Sequence, residues 1–467
     1  MNAIVPPKPK RPPGKSSKLQ MVRLGVRSSL AVFFDESFGV DIGRTWIPTL
    51  PSLKKRWMFT VREPELAREV LVRRAGDFHK SDIMDPMLQD VTGDSLFTSD
   101  GETWRRQRRL MDPAFAQAGL KAVFPLMRQA CDAAIARLAE HAAQQPDQAL
   151  NVDTTTTYFA ADIIFRTLFS EPISQADAQA VFAAFEVFQK VSYAQGMLQM
   201  ARVPAAFAPG AGAAKKAARK IRAILKGPLD RRLKALKAGA PCPTADILAV
   251  LTSTVDPDTG DALGESELLD QIAFLFLAGH ETSASALAWA LYLLAIDPDT
   301  QARLHTEVAE QVGDKKIEFA HIKRLARTRD AFRETLRLYP PVAFFARDAM
   351  QDMHMGGRDI EKGSIVVVAP WLLHRQPRHW GEAPDAFNPC RFDTAQGQEG
   401  LRCAYMPFSM GERVCVGAAF ALQEATLLLA EVVRRFQLSP EPGHTPEPVA
   451  RLTLRSANGI RVRIKAR

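Results

Sequence analysis

Cysteine is scarce in this sequence, and its distribution excludes two common structural uses. The 467 residues include five cysteines, an odd number with no C-x-x-C spacing. A disulfide framework or a structural zinc site needs paired or closely spaced cysteines, so neither organises this chain. Unpaired cysteines are typical of a reducing compartment, and we expect the protein to be cytoplasmic.

Long apolar segments are also few. No apolar run follows the basic N-terminus, which argues against a signal peptide. The most hydrophobic stretch, residues 271–296, is long enough for a membrane span, but its middle, residues 279–282, reads G-H-E-T. Ionisable side chains at bilayer depth are costly, so the stretch predicts a buried central helix of a soluble protein.

Acidic residues are missing before Asp35, and seven of the nine net positive charges (61 − 52 = +9) lie in that part of the chain. Five prolines interrupt residues 1–18, which predicts a flexible basic tail followed by a single domain over residues 19–467. The tail has no aromatic residue, which argues against nucleic-acid binding. Two interpretations of the tail stay open. It makes at most a peripheral contact with an anionic membrane surface, or it is a solvated segment with no role.

Helical periodicity dominates the rest, so the sequence predicts a mainly α fold with small β-sheets. Strand-like runs are few, and no internal repeat or second-domain signature is present. The predicted helices cover residues 19–34, 63–73, 104–111, 120–143, 155–168, 177–200, 213–238, 265–296, 299–312, 322–339 and 418–436. The predicted strands cover residues 56–61, 364–370 and 449–464.

A short glycine-containing segment near the C-terminus carries one cysteine just before an apolar helix. It reads F-S-M-G-E-R-V-C-V-G and ends at Gly417. Gly411 permits a positive φ in the turn, and Gly417 lets the backbone lie flat against a ligand. The helix N-terminus and Arg413 both favour a thiolate at Cys415, as an iron ligand requires. The alternative is a small buried apolar cysteine.

The pattern F-x-x-G-x-R-x-C-x-G is filled at every fixed position, and in it the chain resembles the cytochrome P-450 superfamily. The resemblance implies a cytochrome P-450 fold with haem b between the long central helix and the helix after the cysteine loop. It implies Cys415 as the ligand of the iron. Over the whole chain, the resemblance assigns these residues to the cofactor: Cys415, Arg413, Trp104, Arg108, Arg347, Phe408, Gly411, Gly417, Ala278 and Gly279.

Residues 278–282, A-G-H-E-T, place small residues beside an acid and a hydroxyl inside the long apolar helix. The Thr282 hydroxyl can bond the carbonyl of Ala278 and open the helix, and Gly279 has no side chain to obstruct the opening. A tolerated kink with Glu281 reaching a surface cation is the alternative. The resemblance makes this segment an oxygen-binding groove, with Thr282 and Glu281 as catalytic residues that hold dioxygen and relay protons.

Two further motifs gain meaning from the resemblance. Trp104 and Arg108 stand one helical turn apart and fit a haem propionate site together with Arg347 and Arg413. The E-x-x-R pair at 334–337 and a downstream arginine at position 391 are expected to form a buried network that fixes the cysteine loop. The remaining arginines of the predicted helix at 104–111, Arg105, Arg106 and Arg109, form either a solvated face or a docking surface for an acidic redox partner.

The substrate pocket is the part of the active site about which the sequence gives the least information. The resemblance places it among apolar residues of segments 83–97, 182–200 and 342–345. We expect a roomy apolar cavity there, because the residues of the first segment have no regular face to bury against. The alternative is that the methionines and aromatic residues at helical spacing belong to the ordinary hydrophobic core and line no pocket.

Taken together, these features predict a monomeric haem-thiolate monooxygenase that inserts one atom of O2 into an apolar substrate such as a fatty acid, terpenoid or steroid. The chain has no reductase module, so electrons must come from a ferredoxin or flavodoxin with its reductase. A peroxide-driven oxygenase, a haem-thiolate isomerase and a non-catalytic haem-binding sensor are the alternatives.

Overall fold

The computed structural model describes residues 4–9, 24–25, 27–33, 39–47, 56–81, 83, 85–200, 210–240 and 246–467. Helices dominate these residues: α1 Pro64–Arg68, α2 Asp85–Thr92, α3 Gly101–Phe115, α4 Gln117–Gln144, α5 Val152–Phe169, α6 Gln175–Met200, α7 Ala211–Lys237, α8 Ile247–Ser253, α9 Glu265–Ile296, α10 Pro298–Gln311, α11 Phe319–Ile322, α12 Ala326–Leu338, α13 Pro370–Leu373, α14 Pro377–Trp380, α15 Ala395–Cys403 and α16 Ala418–Arg435.

The strands are short: β1 Ile42–Ile47, β2 Arg56–Val61, β3 Phe78–Lys80, β4 Leu150–Asn151, β5 Phe345–Ala349, β6 Met353–Met355, β7 Arg358–Ile360, β8 Ile365–Val368, β9 Phe436–Pro440, β10 Pro448–Ala450, β11 Leu454–Ser456 and β12 Arg461–Ala466. The largest sheet has the order β1-β2-β8-β5-β3, and only its β2–β8 pair is parallel. A second sheet has the order β4-β12-β9, and β6-β7 and β10-β11 form two-stranded sheets. The predicted mainly α class with small sheets is confirmed.

Helix α9 is the centre of the molecule. It begins after Gly264, whose N–H donates to the Glu267 carboxylate at 2.9 Å, and two acids in its first turn suit the positive end of the helix. Most of its residues from Leu268 onward are buried, and it packs along α5. A helix that is apolar on nearly all sides must be covered on nearly all sides, which explains its central place. The predicted bounds of this helix are confirmed.

Several helices were missed by periodicity, among them α2 and α8. The segment at 85–92, for which the sequence predicted no helix, forms α2, which begins with Asp85 and a proline; proline is tolerated in a first helical turn. Helix α8 is capped by Asp246, whose carboxylate accepts from the N–H of Ala249 at 2.8 Å. Both helices are short, and short apolar runs carry little periodic signal. Much of the predicted helix at 19–34 lies outside the described residues, and its end at 29–32 is a 3-10 turn.

The N-terminal residues 4–9, part of the predicted flexible tail, contact the body of the protein, and the flexibility of the tail stays a prediction. The N–H of Phe387 donates to the carbonyl of Ile4 at 3.0 Å, and the Tyr339 hydroxyl donates to the carbonyl of Pro7 at 2.6 Å. The Lys8 ammonium lies 2.7 Å from the Asp385 carboxylate. Prolines leave the segment extended with free carbonyls, so hydrogen bonds from the body of the protein can hold it.

Among the helices of the described part of the chain, none combines the length and the apolar character that crossing a membrane requires.

Candidate active site

The cysteine loop is a tight turn fixed by its own backbone. The N–H of Cys415 donates to the carbonyl of Phe408 at 2.9 Å, and the N–H of Val414 donates to the carbonyl of Gly411 at 3.1 Å. Gly411 has the positive φ expected from the sequence, +76°, and a Cβ there would collide with the carbonyl oxygen of Leu71. The loop therefore requires glycine at this position for two reasons, conformation and close approach.

The Cys415 side chain is exposed within this loop, whereas Cys131 on α4 is buried. Desolvation by the surrounding protein raises the pKa of the Cys415 thiol, while the N–H of Gly417 and the charge of Arg108 lower it. Burial also raises the pKa of Cys131, which has the properties of a core cysteine. The alternative of a small buried cysteine therefore describes Cys131 and not Cys415.

Arginines surround the loop on the side of α3. The Arg108 guanidinium donates to the carbonyl of Val414 at 2.7 Å and pairs with Asp112 at 2.7 Å. Arg413 lies over the ring of Trp104, with its guanidinium carbon 4.4 Å from the ring centroid. Trp104 is buried, so this cation is packed against a fixed aromatic face. The structure thus brings together the predicted residues of α3 and of the cysteine loop.

Arg347 on β5 is a partly buried cation with little compensation. Its guanidinium donates to the carbonyl of the preceding residue, Ala346, at 3.0 Å. Desolvation and the nearby charge of Arg413 lower the pKa of Arg347 to about 10, and the carboxylates of Glu412 and Asp100 only partly oppose this. Two guanidinium groups close together in a partly buried site suit a ligand that carries carboxylates, as the propionates of haem do.

Helix α9 has a narrow accessible face. Phe274, Ala278 and Thr282 follow one another at four-residue spacing and are partly exposed, while most of their neighbours on the helix are buried. The Thr282 hydroxyl donates to the carbonyl of Ala278 at 2.6 Å, as expected from the sequence. A flat ring could therefore lie between this face and the Cys415 loop, and the residues present fit haem.

Gly279 is a glycine for a reason different from the one predicted. A Cβ at this position would lie 3.1 Å from Cγ1 of Ile164 on α5, tighter than ordinary packing allows. The missing side chain thus lets α9 and α5 approach each other. This geometry does not support the expectation that Gly279 leaves space for dioxygen. A contact of its backbone with the cofactor stays a prediction.

Glu281 lies in a buried ion pair that the sequence did not reveal. Its carboxylate is 2.7 Å from the Arg455 guanidinium on β11 and accepts hydrogen bonds from Thr453 at 2.6 Å and Gln189 at 3.3 Å. Burial alone would raise the pKa of Glu281, but Arg455 in particular keeps it below its ordinary value. The Arg455 side chain is 19% exposed, so the partner of Glu281 is a partly buried cation, and the role of Glu281 as a proton relay stays a prediction.

Behind the cysteine loop lies a buried cluster of one acid and two arginines, which confirms the predicted network. Glu334 pairs with Arg337 at 2.7 Å and with Arg391 at 2.9 Å, and these cations keep the pKa of Glu334 low against the effect of burial. Arg337 donates to the carbonyl of His374 at 2.7 Å, and Nε2 of His374 accepts from the N–H of Met406 at 3.0 Å. The cluster therefore reaches the start of the cysteine loop through His374, which the sequence did not single out.

The expected pocket segments lie partly along this face. The rings of Phe97 and Phe274 are 6.4 Å apart, and Val91 and Phe188 are buried. Met84 lies outside the described residues, as do the side chains of Met87, Met197 and Met200. Cavities of about 580 and 510 Å³ lie elsewhere, beside α7 and beside α14, so a roomy cavity at the predicted place stays a prediction.

Comparison with known families agrees with this geometry. The family model described as Cytochrome P450 matches residues 51–462. This chain belongs to the cytochrome P450 family. Cyclooctatin synthase of Streptomyces melanosporofaciens is 32% identical over 84% of this chain and 83% of the relative. Cyclooctat-9-en-7-ol 5-monooxygenase of the same organism is 30% identical over 82% and 80%, and human Cytochrome P450 4Z1 is 29% identical over 86% and 81%.

The protein is therefore a cytochrome P450 monooxygenase, an oxidoreductase whose cofactor is haem with a cysteine thiolate as axial ligand. Its reaction uses O2, an organic substrate and electrons from a redox partner. The position of Cys415 within the F-x-x-G-x-R-x-C-x-G segment distinguishes it from Cys403, which lies at the end of α15 with its sulfur 3.9 Å from His379.

Proposed function

We propose that Cys415 is the axial ligand of a P450 that oxygenates an apolar, terpenoid-type substrate with electrons from a ferredoxin or flavodoxin. The observation that carries this is the Cys415 loop, in which an accessible thiol receives a backbone N–H and lies near a cation. A thiolate needs such support to remain a ligand of iron. The substrate class rests on one relative, Cyclooctat-9-en-7-ol 5-monooxygenase, whose name gives an unsaturated alcohol as the compound that is oxygenated.

The protein's own groups have separate tasks in this proposal. Haem, when bound, supplies the activation of dioxygen by successive electrons. Arg347 and Arg413 hold its carboxylates, and the ring of Trp104 keeps Arg413 in place. Arg108 fixes the backbone of the cysteine loop, and Gly417 donates its N–H to the sulfur. These tasks are positional and electrostatic, as expected for a protein that surrounds a reactive cofactor.

On the opposite side, Thr282 keeps dioxygen and water molecules in the groove, and Ala278 leaves space for them. Phe274 orients the substrate and excludes bulk water. Glu281 moves protons at its carboxylate, and because Arg455 and Thr453 bind both of its oxygens, it must exchange these contacts to do so. We further propose that the protein acts as a cytoplasmic monomer that does not bind nucleic acid.

Replacing Cys415 tests the proposed ligand. We expect Cys415→Ala to lose the thiolate-type carbon monoxide spectrum completely, because alanine provides no ligand. Cys403→Ala is the matched control and should retain the wild-type spectrum, since its sulfur faces His379 instead. A normal spectrum from Cys415→Ala, or its loss from Cys403→Ala, would contradict the assignment.

Replacing Thr282 tests the groove. We expect Thr282→Ala to bind haem normally but to form about tenfold less product per electron pair, because the hydroxyl that holds dioxygen and water is gone. Product and peroxide, measured against the nicotinamide cofactor consumed, report this ratio. Thr426→Ala on α16 is a suitable control, because that hydroxyl makes the same bond, to Leu422 at 2.7 Å, outside the groove. Full coupling in Thr282→Ala would disprove the role.

The peroxide-driven alternative is decided by the same assay. Turnover with peroxide alone, and none with O2 and a reductase system, would favour it over the proposed monooxygenase reaction.

A further inference from the structure

One carboxylate joins three elements beside the groove. Asp270 on α9 pairs with Arg222 on α7 at 2.6 Å, and its second oxygen accepts the N–H of Asp94 at 3.1 Å. Arg222 also donates to the carbonyl of Val91 at 2.9 Å. The segment that follows α2 is thus bound through its backbone to both helices.

The sequence is adapted to this contact at Gly93. This residue has φ +55°, and a Cβ there would overlap the carboxylate of Asp270. Only glycine can therefore place the backbone against the carboxylate in this conformation. The side chains of Asp270 and Arg222 are 13% and 23% exposed, so water screens the pair only in part.

The same segment is also held from its inner side. The Gln271 side chain accepts the N–H of Leu96 at 3.0 Å, and the Gln107 side chain donates to the carbonyl of Asp94 at 2.9 Å. Phe97, at its end, reaches the ring of Phe274 on the accessible face of α9. Residues 91–97, here called the pocket wall, thus connect the pair at Asp270 with the groove at Thr282.

We propose that Asp270 and Arg222, the latch, hold the pocket wall in one position and thereby restrict the shapes of substrate that fit. They are positioning residues, because neither reaches the groove face itself. The proposal rests on the proposed function, in that the substrate is taken to lie against α9 beside Thr282. A fixed wall discriminates by shape because a ligand that needs the wall to move must break these bonds first.

Two arginines of the same helix provide a matched test. Arg231, like Arg222, lies on α7 and pairs with a carboxylate, but this carboxylate belongs to Glu171, at 2.5 Å and away from the wall, and both side chains are exposed, so its loss should not destabilise the fold. We expect Arg222→Gln in the haem-containing protein to speed hydrogen exchange of amides 93–97 by about tenfold or more, and Arg231→Gln to leave these amides unchanged. Equal protection of the wall in wild type and Arg222→Gln would overturn the latch.

Selectivity is measured with imidazoles, whose ring nitrogen binds ferric haem and changes its absorption. The ratio of dissociation constants for triphenylmethylimidazole and for imidazole should fall about fivefold in Arg222→Gln, because a mobile wall admits the bulky ligand, and should not change in Arg231→Gln. Faster exchange with an unchanged ratio would overturn the role in specificity. If the purified wild-type protein contained no haem, the proposed function would be disproved. The exchange rates would still show whether the latch holds the pocket wall.

Discussion

Two arginine–carboxylate clusters of this P450 use the same chemistry in different surroundings. The cluster behind the cysteine loop, Glu334 with Arg337 and Arg391, is almost completely buried, and both Glu334 and Arg337 are 0% exposed. The latch between Asp270 and Arg222 lies nearer the surface and binds the backbone of a single short segment. The difference teaches that burial decides whether such a pair supports the whole fold or only a local conformation.

The reason is the cost of an unpaired charge. Deep in the protein, removing one partner leaves the other without water or a counter-charge, so the whole domain loses stability. Near the surface, water replaces the lost partner, and only the segment that the pair had ordered becomes mobile. Three variants test this contrast, beginning with the one whose stability should change most.

The largest effect is expected for Glu334→Gln. The variant leaves two buried guanidinium groups without their carboxylate, so we expect a loss of about 3–5 kcal/mol in the free energy of unfolding and a lower haem content. Chemical denaturation and haem absorption measure these two quantities. Glu102→Gln is the control, because Glu102 pairs with Arg105 at the surface, at 3.4 Å, and its loss should change little. Equal stability of the two variants would remove the contrast.

A buried acid that has no arginine partner shows the opposite pKa shift to Glu334. Burial raises the pKa of Glu424 on α16 to about 8, although a hydrogen bond from Ser283 lowers it. The folded state thus keeps a proton that the unfolded chain releases near the ordinary pKa of 4.5, so stability falls as pH rises between these two values.

Glu424→Gln removes this titration. The difference in unfolding free energy, variant minus wild type, should increase by up to about 1.4 kcal/mol per pH unit between pH 5 and about pH 8. Denaturation at several pH values measures the slope. Glu334→Gln should show no such increase with pH, because the pKa of Glu334 is lowered in the folded state. A difference between wild type and Glu424→Gln that does not depend on pH would contradict the assigned ionisation.

The smallest global effect is expected for Asp270→Asn in the latch. We expect its unfolding free energy to fall by about 1 kcal/mol or less, because the pair is partly exposed and asparagine can still accept the N–H of Asp94. Thermal denaturation measures this change. A loss as large as that of Glu334→Gln would show that the latch supports the fold and not only the pocket wall.

Local patterns predicted much of the fold and of the site. The bounds of α9 followed from helical periodicity around a long apolar stretch, and the positive φ of Gly411 and the bond from Thr282 to Ala278 each depend on a few neighbouring residues. Short-range sterics and hydrogen bonding act within one turn of chain, so the sequence determines them directly. The cysteine motif belongs to the same class and led to the family.

Contacts between distant segments were decided by the tertiary structure. Glu281 is paired with Arg455, 174 positions away, and Gly279 is small because Ile164 of another helix lies against it. The need for glycine at position 93 likewise comes from Asp270 of another element, whose carboxylate a Cβ there would overlap. Helix periodicity fixes which face of an element is apolar but not which neighbour it meets, so the partner of a buried charge depends on how the completed elements pack.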